Sequence, residues 1–174
     1  MPSPDFFGDD SRPPEVPKPM PRRLVPSEYK VIALRDCPTP AELLQCDTPQ
    51  RAVDYWRLHI ATSPQFKPDC ECLAVLLLNT RLRVKGHQVV TVGLLDQVLT
   101  HAREVFRTAI VAAAHSIVLM HNHPSGDPSP SQADIRVTRE LIRAGHLLRI
   151  EVMDHIVVGN PGHSSLRQIG CFHT

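Results

Sequence analysis

The sequence predicts an α/β protein, a β-sheet flanked by helices, and three observations predict it. Residues 72–78 form an unbroken run of seven apolar side chains, too short for a membrane span and suited to a central strand. Residues 116–120, Ser-Ile-Val-Leu-Met, repeat that apolar and β-prone character. Between and after them lie two stretches with helical apolar spacing, residues 94–114 and 131–144. Strands alternating with helices bury their apolar faces best as a sheet with helices packed on it.

Taken in order, residues 1–26 hold eight prolines and no apolar periodicity, and read as a disordered tail. Residues 27–64 read as a short helical region. There Thr48-Pro49 has the form of an N-cap followed by a first-turn proline, opening a helix to about Ile60 that buries Val53, Trp56 and Ile60. Residues 65–174 hold the remaining elements: a strand from Cys72, a second over 83–92, the helix over 94–114, the strand over 116–120, a Pro/Gly turn, the helix from Ser131, and strand material over 147–159. No internal repeat is visible.

The chemistry is concentrated in His121-Asn122-His123, followed by Ser131 and Asp134. Side chains at i and i+2 of a strand project to one face, so both imidazoles address one point. Pro124, Gly126, Pro128 and Pro130 force a turn, after which Asp134 falls in the first turn of a helix. Two neutral histidines and one carboxylate leave a fourth position open, the arrangement of a catalytic rather than a structural zinc site. The bland alternatives are that His-x-His is common by chance and that Ser-x-x-Asp at a helix start is a capping box.

The run His-Asn-His-Pro-Ser-Gly-Asp-Pro-x-Pro-Ser-x-x-Asp resembles the JAB/MPN metallopeptidase pattern in its RadC-like form. The likeness extends upstream to His101-Ala102-Arg103-Glu104-Val105-Phe106-Arg107, where the family usually has proline at the position of Ala102, and downstream to Met153-Asp154-His155-Ile156-Val157-Val158-Gly159. It implies a mixed sheet of the cytidine-deaminase-like kind, with Zn2+ held by His121, His123 and Asp134. It also implies that Ser131 polarises the substrate carbonyl and that a glutamate on an early strand serves as general base. Glu71, at the entrance of the first strand, is the candidate. Its rival is Glu104, which sits between Arg103 and Arg107 on a helix and reads more simply as an ion-pair partner. Asp154 and His155 coincide with a family Asp-His pair and are candidates for orienting a ligand imidazole, or for structural hydrogen bonds in the sheet. Eukaryotic relatives usually carry Ser or Thr where Asn122 stands, so de-ubiquitinating specificity does not transfer.

The resemblance therefore implies a zinc-dependent peptidase or isopeptidase acting on a protein or peptide substrate. The alternative is a DNA-repair-associated accessory protein whose zinc site need not turn over. Charge lends DNA binding little weight, since the formal net charge is +1 and the pI near 7.8. Arg136, Arg139 and Arg143 share one helix face, which reads first as a solvated surface. The helix-hairpin-helix that fuller RadC-like proteins carry is not recognisable in residues 26–64. A deaminase would need His-x-Glu with Pro-Cys-x-x-Cys, neither of which is present, and the HNH nuclease signature disperses its residues rather than placing them consecutively. Five cysteines without a disulfide rhythm, and the lack of an opening signal segment, lead us to expect a cytoplasmic protein. Cys70-x-Cys72 has no second Cys/His pair at zinc-finger spacing.

Overall fold

In the computed structural model, which describes residues 32–93 and 101–172, one mixed five-stranded sheet carries the molecule. The strands are β1 (Cys72–Leu78), β2 (Val84–Val92), β3 (Ser116–Asn122), β4 (Glu151–Val158) and β5 (His163–Ser165), in the spatial order β2-β1-β3-β4-β5. Only β3 and β4 run parallel; the other neighbours are antiparallel. The helices are α1 (Ala41–Leu44), α2 (Pro49–Tyr55), α3 (Ala102–Val111) and α4 (Gln132–Leu148).

β1 is buried along its whole length because both faces of the sheet are covered. Its side chains alternate between two cores. Cys72, Ala74, Leu76 and Leu78 join Val118, Met120 and Ile156 beneath Tyr55, Trp56 and Ile60. Leu73, Val75 and Leu77 join Ile117, Leu119 and Val152 beneath Phe106, Leu141 and Ile142. The result is three layers, with α2 on one face of the sheet and α3 and α4 on the other. Thr48 caps α2 by accepting from the Arg51 amide, and Pro49 takes the first position. The helix then widens into a π-turn over Trp56–Ile60, where the Ala61 amide reaches back to the Trp56 carbonyl at 2.9 Å. Residues of this segment, from Cys46 on, share one core with the sheet.

Two sequence expectations are corrected. α4 does not stop near Gly145, and Leu147 and Leu148 are its last turn rather than strand material. Gly145 is there for room: a Cβ on it would lie 2.5 Å from the Ile150 carbonyl of the returning chain. The helix ends at Arg149, which adopts left-handed geometry, and Leu147 remains 87% exposed. The expected helix over 94–114 is seen as α3, closed by Ala113 at φ 46°, while residues 94–100 lie outside the described residues. The proline-rich residues 1–26 lie outside them too.

The chain from β3 through α4 to the parallel neighbour β4 is a β-α-β crossover. The carboxyl end of β3 and the amino end of α4 meet at the place where open α/β sheets hold their ligands.

Candidate metal centre

His121 lies in β3 and His123 one residue past its end; Asp134 is the third helical residue of α4. Their ligand atoms all lie within 4.8 Å of one another. The two Nε2 atoms are 3.0 Å apart, and the Asp134 oxygens stand 3.4 Å from His121 Nε2 and 3.6 Å from His123 Nε2. His121 is fully enclosed and the Asp134 side chain is 6% exposed, whereas that of His123 is 13% exposed. The cluster is therefore sealed from below and open on the His123 side, next to exposed Ser131.

The hydrogen bonds behind the rings select the nitrogen that each ring, when neutral, leaves bare. Thr138 Oγ1 donates to the Asp134 carbonyl at 2.6 Å, so it must accept from His155 Nδ1 at 2.5 Å. His155 Nε2 is then an acceptor, and takes the Nδ1 proton of His121 at 2.9 Å. That leaves His121 Nε2 with a free lone pair. On the other side His123 Nδ1 donates to the Asp127 carbonyl at 2.7 Å, so Nε2 is the nitrogen this ring leaves bare in its neutral form. Electrostatics agree. Burial lowers His121 to a pKa of about 4, against a smaller upward pull from Asp134, and burial followed by the neighbouring His121 holds His155 well below the usual imidazole range. Both rings are neutral at pH 7. Burial alone would raise the carboxyl of Asp134, but His121 together with the Ser131 hydroxyl and amide holds it below its ordinary value.

With both rings neutral, two lone pairs and a carboxylate converge on one point. A shared cation satisfies such a set, so these residues fit a bound metal ion. The capping box and the ligand set are the same object. Asp134 Oδ2 accepts from the Ser131 amide and hydroxyl, each at 2.7 Å, while the Ser131 hydroxyl accepts from the Asp134 amide at 3.1 Å. Oδ1 is left facing His121. The cap orients the carboxylate and does not compete with the ion for it.

Glu71 stands half-buried one residue before β1, and its carbonyl accepts from the Gly93 amide at 2.9 Å. β1 and β3 pair with Leu73 opposite His121, so continuing that register by two residues sets Glu71 across from His123 on the face that carries both imidazoles. Glu104 pairs with Arg107 at 2.9 Å and Arg103 at 3.5 Å on α3. Asp154 and His155, consecutive in β4, face opposite ways. His155 backs His121, whereas the oxygens of Asp154 accept from Ser165 Oγ at 2.5 Å, the His155 amide at 2.7 Å and the Arg167 amide at 3.2 Å, tying β4 to the end of β5 and the chain just beyond it.

Sequence reasoning missed Thr138, whose position four residues after Asp134 on one helix face was a usable signal. It also missed the Asp127 carbonyl, a backbone group that no residue type announces. Gly159 is needed for the same loop, since a Cβ there would lie 2.4 Å from the Gly126 carbonyl.

A strand, turn and helix that bring two histidines and an aspartate together at the carboxyl end of the central strand of an α/β/α sheet fit a domain of the JAB/MPN type. The chain belongs to the RadC-like JAB domain family, whose profile matches residues 46–171. It is 50% identical over 96 residues to a UPF0758 protein of Symbiobacterium thermophilum, covering 55% of this chain and 41% of that one. A UPF0758 protein of Chlorobaculum parvum is 53% identical over 97 residues, 56% of this chain and 44% of its own length. One from Trichodesmium erythraeum is 41% identical over 130 residues, 75% and 51% respectively. The chain therefore spans about half the length of these relatives or less. Among the described residues no helix is long and apolar enough to cross a membrane.

Proposed function

We propose that this domain is a zinc-dependent hydrolase of peptide or isopeptide bonds, acting in the cytoplasm on a protein or peptide. The observation that carries the reading is the pair of Nε2 atoms 3.0 Å apart beside the Asp134 carboxylate, with His123 the more exposed of the three side chains. Zinc on such a set lowers the pKa of water to about 7 and polarises a carbonyl. His121, His123 and Asp134 serve as ligands. Glu71, on the same sheet face, accepts the proton from the attacking water and returns it to the leaving amine. Ser131, at the exposed lip, donates its hydroxyl to the substrate carbonyl oxygen as negative charge develops there. In the free protein that proton is directed to Asp134 Oδ2 at 2.7 Å, so the hydroxyl must rotate when substrate enters.

The test is metal analysis of freshly purified protein followed by hydrolysis assays on a panel of peptides and isopeptide-linked peptides. About one zinc per chain and chelator-sensitive cleavage are expected. Glu71→Gln should retain the zinc and lose roughly two orders of magnitude or more in kcat. A native protein without zinc would instead favour a non-catalytic accessory role, and full activity in Glu71→Gln with none in Glu104→Gln would move the base to α3.

A further inference from the structure

Asn122, between the two ligand histidines, is 7% exposed and uses both ends of its side-chain amide. Its Oδ1 accepts from the Cys72 amide at 2.9 Å, and its Nδ2 donates to the Cys70 carbonyl at 3.0 Å. The orientation of the amide is unambiguous, because a backbone N–H can only donate and a carbonyl can only accept. These two backbone groups flank Glu71. Regular pairing between β1 and β3 ends at Leu73 opposite His121. Beyond that point the side chain of Asn122 takes over from the ladder and joins the strand that carries the ligands to the segment that carries the glutamate.

We propose that Asn122 is a positioning residue for Glu71, locking the base to the metal ligands as one rigid unit. The proposal rests on the reading of Glu71 as general base. The residue holding both flanks of the base is bonded directly to both ligand histidines, so displacement of one strand end carries base and ligands together. Only asparagine meets both demands at this reach. Aspartate keeps the acceptor but turns a second oxygen toward the Cys70 carbonyl, serine offers one short hydroxyl, and alanine offers nothing. The side chain leaves from the sheet face opposite the two imidazoles, so it supports the base without touching the ion.

The test uses the full chain loaded with cobalt(II), whose visible spectrum reports the surroundings of the ion, titrated with base. Glu71→Gln is expected to move the spectral midpoint by about 0.5–1 pH unit, the scale for removing a nearby charge. Asn122→Ala should bind a full equivalent of cobalt and shift the midpoint in the same direction by at least half as much. The double variant should shift no further than Glu71→Gln alone, and the Cys72 amide should exchange faster in Asn122→Ala. Where a hydrolysed peptide is in hand, kcat should fall roughly 10–100-fold with KM nearly unchanged. If Asn122→Ala unfolds, Asn122→Ser and Asn122→Asp give the same comparison, with partial shifts expected. A wild-type midpoint in the Asn122 variants beside a shifted Glu71→Gln overturns the positioning role, as does loss of cobalt from a folded Asn122 variant. An unshifted Glu71→Gln overturns the base assignment itself, and is recognised from that single variant.

Discussion

The two faces of the sheet each carry buried or half-buried histidines, and their different surroundings show what separates a candidate ligand set from structural imidazoles. On the α2 face, His87 Nδ1 meets the Tyr55 hydroxyl at 3.0 Å, and His59 Nε2 meets Thr39 Oγ1 at 2.9 Å while that hydroxyl donates to the Cys37 carbonyl. On the α4 face, His121 and His155 are buried more deeply than half-buried His87. Burial, the largest cause in each case, lowers His87 and His121 alike to about 4. A depressed pKa therefore does not mark the metal centre. The difference is direction: on the α2 face a hydroxyl meets the ring nitrogen, whereas on the α4 face the outer partners hold Nδ1 of His121 and His123 and turn both Nε2 atoms toward a carboxylate.

The comparison is broken most decisively at Asp134. Asp134→Ala should abolish stoichiometric metal binding with the fold kept, measured by metal analysis after dialysis. Tyr55→Phe, which removes the partner of His87, should leave metal content untouched and cost about 1 kcal/mol in denaturant unfolding. Stoichiometric metal with unchanged affinity in Asp134→Ala would remove it from the ligand set and leave Asp127 as the next candidate.

The tautomer chain sharpens the contrast. Thr138→Val removes the acceptor for His155 Nδ1, freeing His155 to take the other tautomer and present a proton to His121. Metal affinity should weaken roughly 10–100-fold, the usual range for losing a group behind a ligand. Competition against a chromophoric chelator measures it, and unchanged affinity would show that the chain of hydrogen bonds does not set the ligand nitrogen.

Acid should act on both faces together. The unfolded imidazoles titrate near 6.5 and the folded His87 and His121 near 4, so the unfolded chain binds more protons between those values. Metal-free protein should thus lose stability as pH falls from about 6.5 to 4, by up to roughly 1.4 kcal/mol per unit for each such imidazole. Denaturant melts across that window check it, and a flat profile would contradict the neutral-ring description of both faces.

The smallest effect is expected on the outer surface of α4. Arg136, Arg139 and Arg143 are exposed. Reversing the charge of Arg136 and Arg143 to glutamate should change duplex or branched DNA binding little at physiological salt, because the near-neutral chain gives weak binding to begin with. A tight, salt-steep complex destroyed by that double change would make DNA the primary partner.

The sequence by itself determined the elements whose signal is local. The apolar runs of β1 and β3 state their burial through composition, Thr48-Pro49 states a helix start, and the strand, Pro/Gly turn and capped helix set His121, His123 and Asp134 close enough in the chain to be read together. Glu71 was a candidate only by its place before a strand. What the sequence left open depended on contacts remote in the chain. Gly145 looked like a helix stop, yet the returning Ile150 carbonyl demanded a glycine within the helix. The alternation of β4 turned His155 to His121 and Asp154 to the far side, a split that two adjacent letters do not disclose. Which nitrogen each candidate ligand turns toward Asp134 was decided by Thr138, His155 and a backbone carbonyl meeting in space. Hydrogen-bond direction is a property of partners, and for residues from different strands and helices only the folded chain supplies them.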